Sequence, residues 1–212
     1  MKHLTGYIDF ISPYAYLAFE TLPDALARLD YTITWRPVLF AGILKHHGQL
    51  GPAEIAGKRD WTYRQVLWHA RTHGIPLDMP RAHPFNPLGL LRLALACSPD
   101  GAPSRPVCEA IFRHVWRGGA AGDDPERLAH LTRALAPARD PGDESVKAAL
   151  RANTAEAIEA GVFGVPSFVV DRQVFWGFDA LPMLKACLQS DPFFAQQWHH
   201  TDRVAPGIER KR

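Results

Sequence analysis

The chain has 212 residues, 47% of them hydrophobic and 22% charged, with a net charge of +2. That supplies a sizeable core and leaves too little charge imbalance to point to nucleic acid or an anionic membrane as partner. The first residues carry no apolar signal segment and no run of eighteen apolar residues occurs, so a cytoplasmic protein without membrane contact is expected. Cys97, Cys108 and Cys187 lie far apart with no C-x-x-C pair. A dithiol redox motif and a zinc knuckle are therefore excluded, and the three read as reduced, mostly buried thiols.

Leu4 to Phe10 is β-branched and aromatic at its centre and suits a strand. Ser12-Pro13 follows as an N-cap and first helical residue, opening a helix over Pro13 to Leu29 that Pro23 is expected to kink or break. Tyr31 to Trp35 alternates strictly and ends at Arg36-Pro37 as a second strand, so the first forty residues form a βαβ unit with parallel strands. From Ala41 glycines and a proline make a loop-rich passage. Helical patterns then run over Lys58 to His73, Pro87 to Cys97, Arg105 to Trp116, Pro125 to Leu135 and Asp143 to Ala160, separated by proline-rich breaks and with no strand signal among them. Ser167 to Val170 and Gln173 to Trp176 form a hairpin around Asp171-Arg172, and Leu181 to Gln189 is a last helix.

The order is thus βαβ, a helical block, then ββα: an α/β fold. The expected division is residues 1–40 plus 161–200 as one domain, an all-helical insertion over 41–160, and a loosely ordered charged tail over 201–212.

Two stretches carry the chemistry. Asp9-Phe10-Ile11-Ser12-Pro13-Tyr14 aims the positive end of a helix dipole at whatever lies above Ser12, a place to hold an anion such as a thiolate. Gly164-Val165-Pro166-Ser167-Phe168 sets a proline immediately before a strand. With Trp35 to Lys45, Lys58, His83-Pro84-Phe85-Asn86-Pro87, and Phe175-Trp176-Gly177-Phe178-Asp179, they resemble the 2-hydroxychromene-2-carboxylate isomerase family. Those proteins are similar to kappa-class glutathione transferases, with a thioredoxin-like fold and a helical insertion.

That resemblance implies glutathione as cofactor and a small aromatic carboxylate as substrate. Ser12 would face the glutathione sulfur as an electrostatic partner and be the catalytic residue. Val165 and a cis Pro166 would pair with the cysteinyl backbone, Trp176, Gly177, Phe178 and Asp179 would take the glutamyl end, and Gln49 and Lys58 the rest of the tripeptide. Tyr14, Arg36, Pro37, Lys45 and Asn86 would contact the substrate. Phe178 stands where the family usually has a polar amide, and Gln49 where it has an asparagine. Plain readings stand beside these: Asp179 as an N-cap, Lys45 and Lys58 as surface lysines, Asn86 as a turn residue.

His69 and His73 are four apart on a predicted helix without a third ligand at fixed spacing, so no metal is expected. Trp61, Tyr63 and Trp68 read as core, with a cleft wall as the other option. The implied reaction interconverts 2-hydroxychromene-2-carboxylate and trans-o-hydroxybenzylidenepyruvate, a step of naphthalene breakdown, in a chain whose relatives are often homodimers. A kappa-type transferase or peroxidase and a non-catalytic thioredoxin-like binding module are the alternatives.

Overall fold

A computed structural model describes residues 1–205 and residue 207. Strand β1 (Lys2–Ile8) leads into helix α1 (Pro13–Ala25) and returns as β2 (Tyr31–Pro37). Helices α2 (Phe40–His46), α3 (Ala56–Thr72), α4 (Leu88–Ala96), α5 (Arg105–Trp116), α6 (Pro125–Leu135) and α7 (Glu144–Glu159) follow. The hairpin β3 (Ser167–Val170) and β4 (Gln173–Trp176), then α8 (Leu181–Leu188) and α9 (Pro192–Gln196), complete the order.

The sheet runs β2-β1-β3-β4. β1 is parallel to β2 and antiparallel to β3, and β3 is antiparallel to β4, which is the βαβ and ββα pairing expected of the two ends of the chain. The hairpin turn holds Asp171 at φ 50° and Arg172 at φ 64°, a left-handed pair that matches strand twist without glycine. One buried cluster joins Leu4, Ile8 and Phe168 of the sheet to Tyr16, Leu17 and Phe19 of α1 and to Leu91, Phe112 and Trp116 of α4 and α5.

Four expectations are corrected. Pro23 does not split α1, which runs to Ala25. A helical proline frees the carbonyl four residues back, that of Phe19, and Arg105 Nη2 donates to this oxygen at 3.1 Å with its guanidinium carbon 4.1 Å from the Phe19 ring centre. The passage after Ala41 is not all loop: α2 buries Ile43 and Leu44. Trp61 and Trp68 are not core, being 62% and 60% exposed on the outer side of α3, while Tyr63 is half-buried and engaged by His83. Of the expected tail over 201–212, Thr201 to Arg203 belong to a 3₁₀ turn, Trp198–Arg203; residues 206 and 208–212 lie outside the described residues.

Candidate active site

Ser12 caps α1 as its position before Pro13 predicts. Its backbone is extended, and its Oγ accepts from the Ala15 N–H at 3.2 Å. The same hydroxyl donates to the Val165 carbonyl at 3.3 Å, across 153 residues of chain. The Val165–Pro166 bond is cis. Among the described residues no hydrogen bond engages the Val165 N–H, so the segment before β3 keeps a free backbone donor. Ser12 is 7% exposed, and the surface it keeps opens into a cavity of about 560 Å³.

The wall of this cavity is largely apolar and aromatic, with Phe40, Leu44, Phe85, Phe163 and Trp176. Phe163 and Trp176 pair with ring centres 5.0 Å apart. The indole of Trp176 lies over Gly164, where an added Cβ would strike it. At the floor, Asp9 is fully buried. Its two oxygens accept from the amides of Ile11, at 3.1 Å, and Phe40, at 2.9 Å. Asp9 thereby holds the Ser12 turn against the first residue of α2. Burial pushes its carboxyl up to about 7 despite those amides, which favour the charged form.

His83, also in the wall, lies 2.7 Å through Nε2 from the Ile11 carbonyl and 2.8 Å through Nδ1 from the Tyr63 hydroxyl. A carbonyl only accepts, so the neutral ring carries its proton on Nε2, leaving Nδ1 and the His83 carbonyl, 2.9 Å from the Tyr63 hydroxyl, as the two acceptors that share its single proton. Burial lowers its pKa, against the Ile11 bond.

The expected site residues separate. Ser12, Tyr14, Gln49, Lys58, Val165 and Trp176 line one cavity. Gln49 and Lys58 are exposed there, and Tyr14 donates its hydroxyl to Gln65 at 2.7 Å. Gly177 takes φ 99°, and its N–H donates to the Pro166 carbonyl at 2.9 Å, tying the end of β4 to the segment before β3. Phe178 and Asp179 line a neighbouring cavity of about 540 Å³ with His69, His73 and Lys185. Phe178 packs there against both imidazoles, 5.1 and 5.0 Å away.

Of the expected substrate contacts, Arg36, Pro37, Lys45 and Asn86 are not among the residues lining the Ser12 cavity. Arg36 donates to the Asp100 carbonyl and stands 3.8 Å from Glu156, the Pro37 carbonyl accepts from Asn153, and Asn86 Oδ1 accepts from the Leu88 N–H at 3.1 Å. Lys45 is exposed on α2. Sequence reasoning gives Asp9 and His83 no role, although both lie in stretches that carry the resemblance, and passes over Thr62; the fold adds all three to the cavity. The local signal for Asp9, just past the end of β1, and for His83 is their place in those stretches; Thr62 has none. Among the described residues no group of three or more His, Cys, Asp or Glu side chains could hold a metal ion, and no helix is long and apolar enough to cross a membrane.

A cis proline before β3, opposite the N-terminus of the helix that follows β1, is the frame of a thioredoxin-type site. A family model described as a DSBA-like thioredoxin domain matches residues 3–189, and the chain belongs to that family. Within it, the chain is similar to 2-hydroxychromene-2-carboxylate isomerase of Sphingobium xenophagum, 28% identical over 194 residues, 88% of this chain and 98% of the relative. It is 27% identical over 212 residues to glutathione S-transferase kappa 2 of Caenorhabditis elegans, 91% of this chain and 93% of that one. The solved structure of a 2-hydroxychromene-2-carboxylate isomerase shares the fold with a TM-score of 0.76 at 23% identity, over 92% of this chain and 98% of that chain.

Proposed function

We propose that the chain is a glutathione-dependent isomerase interconverting 2-hydroxychromene-2-carboxylate and trans-o-hydroxybenzylidenepyruvate, working as a cytoplasmic homodimer in aromatic hydrocarbon breakdown. One observation carries the reading: the Ser12 hydroxyl at the α1 N-terminus meets the Val165 carbonyl at 3.3 Å on the wall of an aromatic cavity. Glutathione, when bound, supplies a thiolate whose reversible addition to a double bond conjugated with a carbonyl makes that bond single and free to rotate.

The residues present suit that group. The Val165 N–H and carbonyl offer an extended peptide one donor and one acceptor, as an added strand would use them. The Ser12 hydroxyl bond to Val165 is long, so its proton can turn to a sulfur at small cost. Together with the α1 dipole it stabilises negative charge there. Lys58 and Gln49 serve carboxylate and amide groups at the rim, and Phe163 and Trp176 offer a face to an aromatic ring. Asp179 takes the glutamyl ammonium if that end of the tripeptide reaches the neighbouring cavity.

The test is ultraviolet monitoring of the chromene–pyruvate equilibration with and without glutathione. Ser12→Ala is expected to slow the glutathione-dependent rate by about 10- to 100-fold, the worth of a hydrogen bond to a charged group. A rate indifferent to glutathione, or unchanged in Ser12→Ala, sinks the proposal. The kappa-transferase relative favours a second reading, conjugation to another electrophile; net consumption of glutathione during turnover would select it.

A further inference from the structure

Most polar side chains lining the Ser12 cavity are engaged. Asp9 accepts from two amides, Ser12 bonds Ala15 and Val165, and Tyr14 bonds Gln65. His83 bonds Ile11 and Tyr63, and Glu54 accepts from the Gly51 N–H at 2.6 Å. Among the described residues, the side chains of Gln49, Lys58, Thr62 and Trp176 line the cavity with no hydrogen-bond partner, Trp176 being 53% exposed. Gln49 and Lys58 are exposed, so water satisfies them.

Thr62 is different. It is only 9% exposed, one helical turn beyond Lys58 on α3. A helical threonine commonly returns its hydroxyl to the carbonyl four residues back. Thr72, Thr132 and Thr154 do so, bonding Trp68, Leu128 and Leu150, whereas Thr21 of α1 does not and its Oγ1 is buried without a partner. Thr62 makes no such bond to Lys58. Nor is its oxygen among the buried partnerless atoms, so the hydroxyl keeps accessible surface, and Thr62 belongs to the cavity wall. A polar group left this way in a largely apolar pocket penalises a ligand that offers it nothing and rewards one that does.

We propose that Thr62 is a specificity-determining residue whose hydroxyl donates to a carboxylate or carbonyl oxygen of the electrophile lying against the aromatic wall. The identity of that electrophile as a conjugated aromatic acid rests on the isomerase reading; the role of the hydroxyl does not. The thiol cofactor already has Ser12, Val165 and Lys58, and Thr62 takes no part in holding it.

The probe is trans-cinnamate, a planar conjugated carboxylate, titrated calorimetrically into the whole chain with and without glutathione. Thr62→Val keeps the shape and removes the hydroxyl. It is expected to raise the cinnamate Kd about tenfold, with the glutathione Kd within about twofold of wild type and Tm held. Thr62→Ser restores the hydroxyl and the affinity.

Four results overturn the inference: no saturable cinnamate binding by the wild type, an unchanged Kd in Thr62→Val, an equal loss of glutathione affinity, or a loss in Thr62→Ser as large as in Thr62→Val. Tight, hydroxyl-dependent cinnamate binding without isomerisation would instead overturn the isomerase reading and leave Thr62 standing. Isomerisation with Thr62→Val binding cinnamate normally would do the reverse.

Discussion

Asp9 shows how one side chain ties chemistry to stability. In the native state its carboxyl titrates near 7, against 3.8 in the unfolded chain. The native protein therefore binds more protons than the unfolded one between those values, and stability falls as pH rises through that window. Asp9→Asn removes this titration, while His83, with its opposite sign, contributes equally to both proteins. Urea unfolding should find the variant gaining on wild type by about 2–3 kcal/mol between pH 5 and pH 8, at about 1.4 kcal/mol for each factor of ten in proton affinity. A difference that does not vary with pH would contradict this. Gly164 tests the cavity wall on the same scale. A Cβ there drives the Trp176 indole out of place and off Phe163. Gly164→Ala is expected to weaken trans-cinnamate binding about 3- to 10-fold, the range of one aromatic contact, as read by calorimetry.

Individual elements owe their form to partners far away in the chain. α1 keeps its last turn through Pro23 because Arg105 of α5 supplies the donor the proline lacks. Arg105→Met retains the aliphatic stem and loses the fork, so it is expected to cost about 1–3 kcal/mol in the wild type and distinctly less beside Pro23→Ala, whose N–H returns to Phe19. Equal costs in both backgrounds, measured by urea unfolding, would refute the compensation. The same logic explains why α2 is hard to see in sequence. Its N-cap residue, Leu39, has no side-chain acceptor. The caps come instead from Asp9, which takes the Phe40 N–H, and from Thr154 of α7, which takes the Leu39 N–H at 3.0 Å. By contrast α5 and α6 lie where the apolar period and Pro106 or Asp124-Pro125 put them, since those signals act within one turn of helix.

Across the whole molecule the buried cluster does not stop where the chain passes from the sheet into the helices. Leu91 of α4 and Phe112 of α5 share it with Phe10 and Phe168, and Phe10 and Phe112 meet at 4.8 Å between ring centres. Leu91→Ala is expected to lower unfolding free energy by about 2–5 kcal/mol, with far-ultraviolet and near-ultraviolet circular dichroism moving together in one transition. Two separated transitions would show that the helical block folds by itself.

Local rules in the sequence determined the βαβ and ββα ends, the helical block between them, the Ser12 cap and the proline before β3, because periodicity, capping and proline geometry operate over a few residues. Only the tertiary structure decided which of those features meet. Helix packing brought Val165 to Ser12 and Thr62 to the wall of the same cavity, turned Phe178 and Asp179 toward a second one, and engaged Arg36 and Asn86 elsewhere. Contacts across more than a hundred residues depend on how whole faces pack, and no short stretch of chain carries that information.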